Sequence, residues 1–379
     1  MRRFVSILVL CMVLILILPL HAAAEDWAGD LPIERPETVK GKVHTILEDK
    51  TQSYGDGYEM RYQIAEIEIL EGEYKGRVIE VQNDITAYNL VLNEGDEVLM
   101  FLEEYGDGTV SAYVSDIVRG KYLIWIVAIF IVLLALIGGF KGIKTIVALL
   151  ITVGAAIFVL LPLIAKGRDP ITVSTLVCFG VTIITLLILN GFSLKTLAAI
   201  FGTSGGILIA AILAWLFSYV AKLTGMGNEY AQLLAGANVG LDFKGLLFAA
   251  IMLGSLGAVM DVSMSIASSM NEIIFIDPDL TGWRLFKHGM NIGRDVMGTM
   301  SNTLILAYVG GALHLLLCFM VDGVPFREII SKDLIASEVV RAVAGSIGLI
   351  SAVPLTALIT MVLRNKAEIV IDGQAVDKA

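Results

Sequence analysis

Asp261, Ser265, Ser268 and Glu272 recur at intervals of four, three and four residues, so a helix carrying them sets two carboxylates and two hydroxyls on one face. Asn291, Asp295, Gly298 and Asn302 repeat this spacing, with Arg294 beside Asp295. Asp261 follows a 16-residue apolar run. A carboxylate within a membrane helix is costly and marks a functional position, with Arg294 its expected countercharge. Groups of this kind hold an ion, a proton or a small polar solute. The expected substrate-binding set is Asp261, Ser265, Ser268, Glu272, Asn291, Arg294, Asp295 and Asn302. A buried structural ion pair with ordinary interfacial caps is the plainer alternative, but two matched stripes exceed what one salt bridge requires.

Seven apolar runs would position these residues, near 122–140, 145–165, 171–189, 196–220, 245–268, 298–320 and 340–363. Each is about 18 to 26 residues long, enough at about 1.5 Å per residue to cross a bilayer core of about 30 Å. Backbone in lipid must satisfy its own polar groups, so the runs are expected to be helices. The fold class expected is a membrane all-α bundle of about seven transmembrane helices over 122–365, with a cytoplasmic tail at 366–379. Hydrophobic residues make up 56% of the chain and charged residues 17%, which sets it outside the soluble range.

The first 24 residues read as a signal peptide: Arg2 and Arg3, an apolar run from Phe4 to Leu20, then Ala22-Ala23-Ala24 before Glu25. An uncleaved anchor would give the same orientation. Residues 25–121 hold 22 acidic and 9 basic side chains, a net of −13, whereas the rest of the chain sums to +3. The acidity belongs to one outer region, and nucleic acid is not an expected partner. With that region outside, seven crossings put the C-terminus inside. The positive-inside rule supports this only weakly, since Lys166 and Arg168 oppose it. Asp169-Pro170 reads as an N-cap followed by proline at N1 for the third helix. The three cysteines, Cys11, Cys178 and Cys318, all fall in apolar segments, so neither a disulfide framework nor a cysteine metal site is expected.

Residues 25–121 read as a small extracytoplasmic all-β domain, OB-like in size and strand number. Runs rich in β-branched residues lie near 39–47, 61–69, 77–83, 97–102 and 109–117, with Gly55-Asp56-Gly57, Gly95-Asp96 and Gly106-Asp107-Gly108 as turns. The Asp-Gly loops lack calcium-loop ligand spacing, so no metal or other cofactor is expected.

Small residues mark the fourth helix. Ala198, Gly202, Gly206 and Ala210 form one continuous face suited to close helix packing. A sharper alternative has Gly202-Thr203-Ser204-Gly205-Gly206 break the helix to line a solute site. The same Gly202-Thr203-Ser204-Gly205 has the G-x-S-G form of rhomboid proteases, with His314 as a conceivable base. That reading requires nucleophile and base within hydrogen-bond reach. There is no P-loop, zincin or kinase signature, and no enzyme activity is expected.

The blocks 254–266 (GSLGAVMDVSMSI) and 289–304 (GMNIGRDVMGTMSNTL) resemble the two signature blocks of the YibE/F-like family of bacterial multipass membrane proteins. The likeness extends over about 38–365. It implies a bacterial plasma-membrane location and names no substrate or reaction. Two functions follow as expectations. The first is a transporter or permease for an ion or small polar solute, using a polar site between the fifth and sixth helices. The second is a non-transport envelope factor whose β domain binds a partner. The lipid bilayer is the one partner both share.

Overall fold

A computed structural model describes residues 38–53, 59–104, 110–227, 229–236 and 240–376. The expected signal peptide, Cys11 and the loops at 55–57 and 106–108 lie outside these. The chain forms two compact units that divide between Ile137 and Gly138.

The first unit is an antiparallel sheet of β1 (Thr38–Ser53), β2 (Glu59–Ile69), β3 (Val78–Asp84), β4 (Glu97–Glu104) and β5 (Val110–Ile117), in the order β3-β2-β1-β4-β5. A short helix, α1 (Ile85–Tyr88), follows β3. Alternation makes one face apolar: in β2, Gln63, Ala65, Ile67 and Ile69 are buried and their neighbours are not. Ala65, Ile67 and Ile69 join Val39, Val43, Val81, Leu92, Val98 and Met100 in one core. The buried amide is satisfied by the backbone of the β3–β4 connection. Gln63 Nε2 donates to the Leu92 carbonyl at 3.1 Å, and Leu92 N–H donates back to Gln63 Oε1 at 2.9 Å. Gly41 has no room for a side chain, because a Cβ would stand 2.5 Å from Met100 Cε and 2.6 Å from Ile67 Cγ2.

The second unit is helical. The stretch α2 (Gly120–Ala155) begins in the first unit and is interrupted at Gly139, whose φ of 53° and ψ of −134° leave the helical region. One π turn (Ala156–Leu160) and α3 (Leu161–Ala165) complete it. Then come α4 (Pro170–Asn190), α5 (Leu194–Val220), α6 (Glu229–Gly236), α7 (Phe243–Ile276), α8 (Gly282–Gly311), α9 (Leu313–Val321), α10 (Phe326–Ile329) and α11 (Asp333–Val376). Asp169 caps α4 by accepting from Thr172 N–H at 2.8 Å, with Pro170 next.

Among the described residues, five helical segments are long and apolar enough to cross a membrane, or up to six when α8 and α9, bent by 51°, count as one. The expected count of seven exceeds this. The runs 122–140 and 145–165 lie in one helical stretch broken at Gly139, and the run 298–320 straddles the α8–α9 bend.

The core sits where α5, α7, α8 and α11 meet. The small face of α5 packs as its composition suggests. A Cβ on Gly206 would stand 2.8 Å from Ala352 Cβ and 2.9 Å from Val259 Cγ1, and one on Gly202 would collide with Thr356 Oγ1. The alternative of a broken helix is corrected here, since α5 runs unbroken through Gly202–Gly206: its neighbours are shaped to receive a bare backbone. Two long-range contacts tie the ends. Asp333 accepts from Thr224 N–H at 2.9 Å and from its hydroxyl at 3.0 Å, and Arg364 donates to the Pro278 carbonyl at 2.9 Å.

Candidate functional site on the α7–α8 hairpin

Contacts between α7 and α8 set their register. Tyr308 Oη lies 2.6 Å from where a Gly254 Cβ would be, a Cβ on Gly293 would meet Ile266, and one on Gly289 would stand 2.5 Å from Met270 Sδ. The helices run antiparallel, joined by the short loop 277–281. This register sets Asp261 level with 299–301 and Arg294 level with 265–268. Asp261 and Arg294 are therefore displaced by at least one helical turn, about 6 Å or more along the axis.

The expected Asp261–Arg294 ion pair is not formed. Among the described residues, none of the eight predicted side chains makes a hydrogen bond or an ion pair. Asp261, Ser265 and Glu272 are exposed on α7 and Ser268 is half-buried, while Val259, Val262, Ser263, Ile266 and Met270 on the other face are buried. Asn291, Arg294, Asp295 and Asn302 are exposed on α8. Its packed side is Leu285, Gly289, Gly293 and Leu304. At 100° per residue, Asn291, Asp295 and Asn302 point away from that side, so they do not converge on the α7 stripe. The structure brings together each stripe on its own helix but does not close them into one pocket. Spacing places residues on a face, and packing decides which way that face turns.

The protease reading needs Ser204 and His314 within hydrogen-bond reach, and no such bond is formed among the described residues. Ser204 is buried inside α5 with its hydroxyl unpartnered, and His314 is exposed on α9. Among the described residues no group of three or more His, Cys, Asp or Glu is placed to hold a metal.

A model of the YibE/F-like protein family matches residues 126–366, and one of the YibE/F family N-terminal domain matches 36–117. This chain belongs to the YibE/F-like family. No curated protein and no solved structure matches it.

In this YibE/F-like protein a second polar cluster escaped the sequence reading. Arg341 Nη1 donates to Glu338 Oε1 at 2.8 Å, both side chains being about three-quarters buried at 24% and 25% exposure. Tyr308 lies within electrostatic reach of both. The Tyr308 hydroxyl, Arg341 Nε and the Ser337 hydroxyl are buried without a hydrogen-bond partner among the described residues. The signal was available: Glu338 and Arg341 stand at i and i+3 beside an apolar run. Reading the last span as 340–363 put Arg341 at a helix end, whereas α11 begins at Asp333 and carries it into the packed region.

Proposed function

We propose that this YibE/F-like protein is a transporter or permease of the bacterial cell membrane that moves an ion or small polar solute past the α7–α8 hairpin. It catalyses no covalent chemistry in this reading. The observation that carries it is the position of Asp261. It lies near the middle of the 34-residue α7, exposed, with no partner among the described residues. At that depth hydrocarbon does not accept a carboxylate, so the face needs water or polar protein beside it. The exposed Asn291, Asp295 and Asn302 on α8 extend the same requirement along the neighbouring helix.

The seven-span topology belongs to this proposal. Gly139 ends one crossing and begins the next, α8 with α9 makes one bent crossing, and the β domain stands outside the cytoplasm in an OB-like arrangement. The test is accessibility. In a variant with Cys11, Cys178 and Cys318 replaced, Ser265→Cys and Asn302→Cys should react with small charged thiol reagents from the aqueous phase, and Ile266→Cys should not. Uniform protection of both polar positions in membranes would overturn the water-lined path.

A further inference from the structure

Resting on the transport reading, we propose that Arg341, Tyr308 and Ser337 form a binding site for a small anion, inorganic or carboxylate, and that Glu338 competes with that anion for Arg341. The groups left unpartnered at this point are a guanidinium N–H, a phenol and a hydroxyl. All three can donate, and donors left unpartnered in a low-dielectric interior suit an acceptor of negative charge. Arg341 is a forked donor with one arm engaged by Glu338 and Nε free. Ser337 is 6% exposed, and it lies one turn before Arg341 on the same side of α11.

Position supports a role in the transport path. Gly345, one turn beyond Arg341, meets Ser255 of α7 and Leu304 of α8, so Arg341 sits in the three-helix junction. Tyr308 rests on Gly254, which shares a face of α7 with Asp261 seven residues on, about 10 Å along the axis. The cluster is thus aligned with the carboxylate of the proposed path.

Charge balance gives the competition its direction. Ionised Glu338 holds Arg341 in a neutral pair and leaves no net charge for an anion. An anion that displaces Glu338 from Arg341 leaves the site with a net negative charge, whereas a neutral residue at 338 would leave Arg341 free to bind it with no net charge gained. The surrounding ionisable groups on α11 are Glu338, Arg341 and Asp333, which Thr224 engages; on α8 Tyr308 lies within electrostatic reach, and Arg284, Lys287, His288, Arg294 and Asp295 stand further along the helix. Of the helices packed against α11, α5 carries Lys195 and Tyr219 near its ends, and α7 carries Lys244, Asp261 and Glu272. Glu328 and Lys332 pair with each other at 3.0 Å.

The test uses the full-length protein in detergent, its melting temperature followed while sodium gluconate is exchanged for sodium chloride, acetate or phosphate at constant ionic strength. Glu338→Gln, which frees Arg341, should bind at least one of the small anions about tenfold more tightly than the wild type. Tyr308→Phe, which keeps the ring, should weaken that binding about fivefold or more. Arg341→Gln should abolish it; should that variant not fold, Arg341→Lys, lacking the fork, should weaken it. Absence of anion stabilisation in both wild type and Glu338→Gln, or binding indifferent to Glu338→Gln or to Tyr308→Phe, would overturn the proposal. Anion binding without flux contradicts transport alone, whereas Asp261-dependent flux indifferent to all three anions contradicts this site alone.

Discussion

Gly206 of α5 and Gly348 of α11 meet backbone to backbone: a Cβ built on either would stand 2.8 Å from the other's carbonyl oxygen. In lipid no hydrophobic force draws helices together, so this close approach and the contacts it permits hold the pair. Gly206→Leu should therefore lower the melting temperature of the detergent-solubilised protein sharply, by overpacking worth about 1–3 kcal/mol or more. Ile207→Leu, buried but near volume-conserving, should cost less than about 1.5 kcal/mol. Equal melting of the two variants would contradict the packing.

Gln63, 3% exposed, holds both the N–H and the carbonyl of Leu92. Gln63→Leu keeps the apolar volume and strands both backbone groups, so the β unit should lose about 1–3 kcal/mol. Denaturant unfolding of residues 25–118 expressed alone measures this, and the wild-type fragment should unfold in one cooperative transition.

Acid should weaken the same unit. Arg61 donates to the two Asp49 oxygens at 2.9 and 2.8 Å and holds that carboxyl below the usual carboxylate range. Asp116 is held low by the Ile117 N–H and by Arg119. A depressed folded pKa adds stability that is complete above the unfolded value, about 3.9, and is lost as pH falls through the folded one. Melting temperature should thus fall below about pH 4, and Asp49→Asn should show a shallower fall from a lower neutral value. Identical acid profiles would show that the pair contributes nothing.

Asp261 and Arg294 should be nearly uncoupled. Their displacement along the hairpin predicts a coupling energy within about 0.5 kcal/mol in a thermal-stability cycle of Asp261→Asn, Arg294→Gln and the double variant. A coupling above about 1 kcal/mol would mean that the two charges pair after all.

These results separate what composition reveals from what it hides. The β strands near 61–69 and 97–102 were legible because a sheet with one buried face must alternate, and the Asp169 cap because proline at N1 follows it. The face formed by Ala198, Gly202, Gly206 and Ala210 was legible for a similar reason, since small residues in register have few uses besides close packing. The site was legible only as helical faces. Period fixes which residues share a face, while the rotation of α8 depends on Gly289 and Gly293 meeting Met270 and Val353, contacts that no local pattern announces. Tyr308 was missed because an aromatic in an apolar run looks like packing until Glu338 and Arg341 arrive from another helix. The end of the first apolar run at 140 agrees with the break at Gly139, although the helix resumes directly after it rather than near 145.

The most direct measurement of the transport reading is flux into proteoliposomes containing the full-length protein, screened with protons, common cations and small anions at several pH values. The wild type should carry at least one of them. Asp261→Asn should abolish that flux while its melting temperature stays within a few degrees of wild type, because the carboxylate is exposed and unpaired and so serves the solute rather than the fold. Flux unchanged by Asp261→Asn, or no flux under any condition from a folded wild type, would contradict the account.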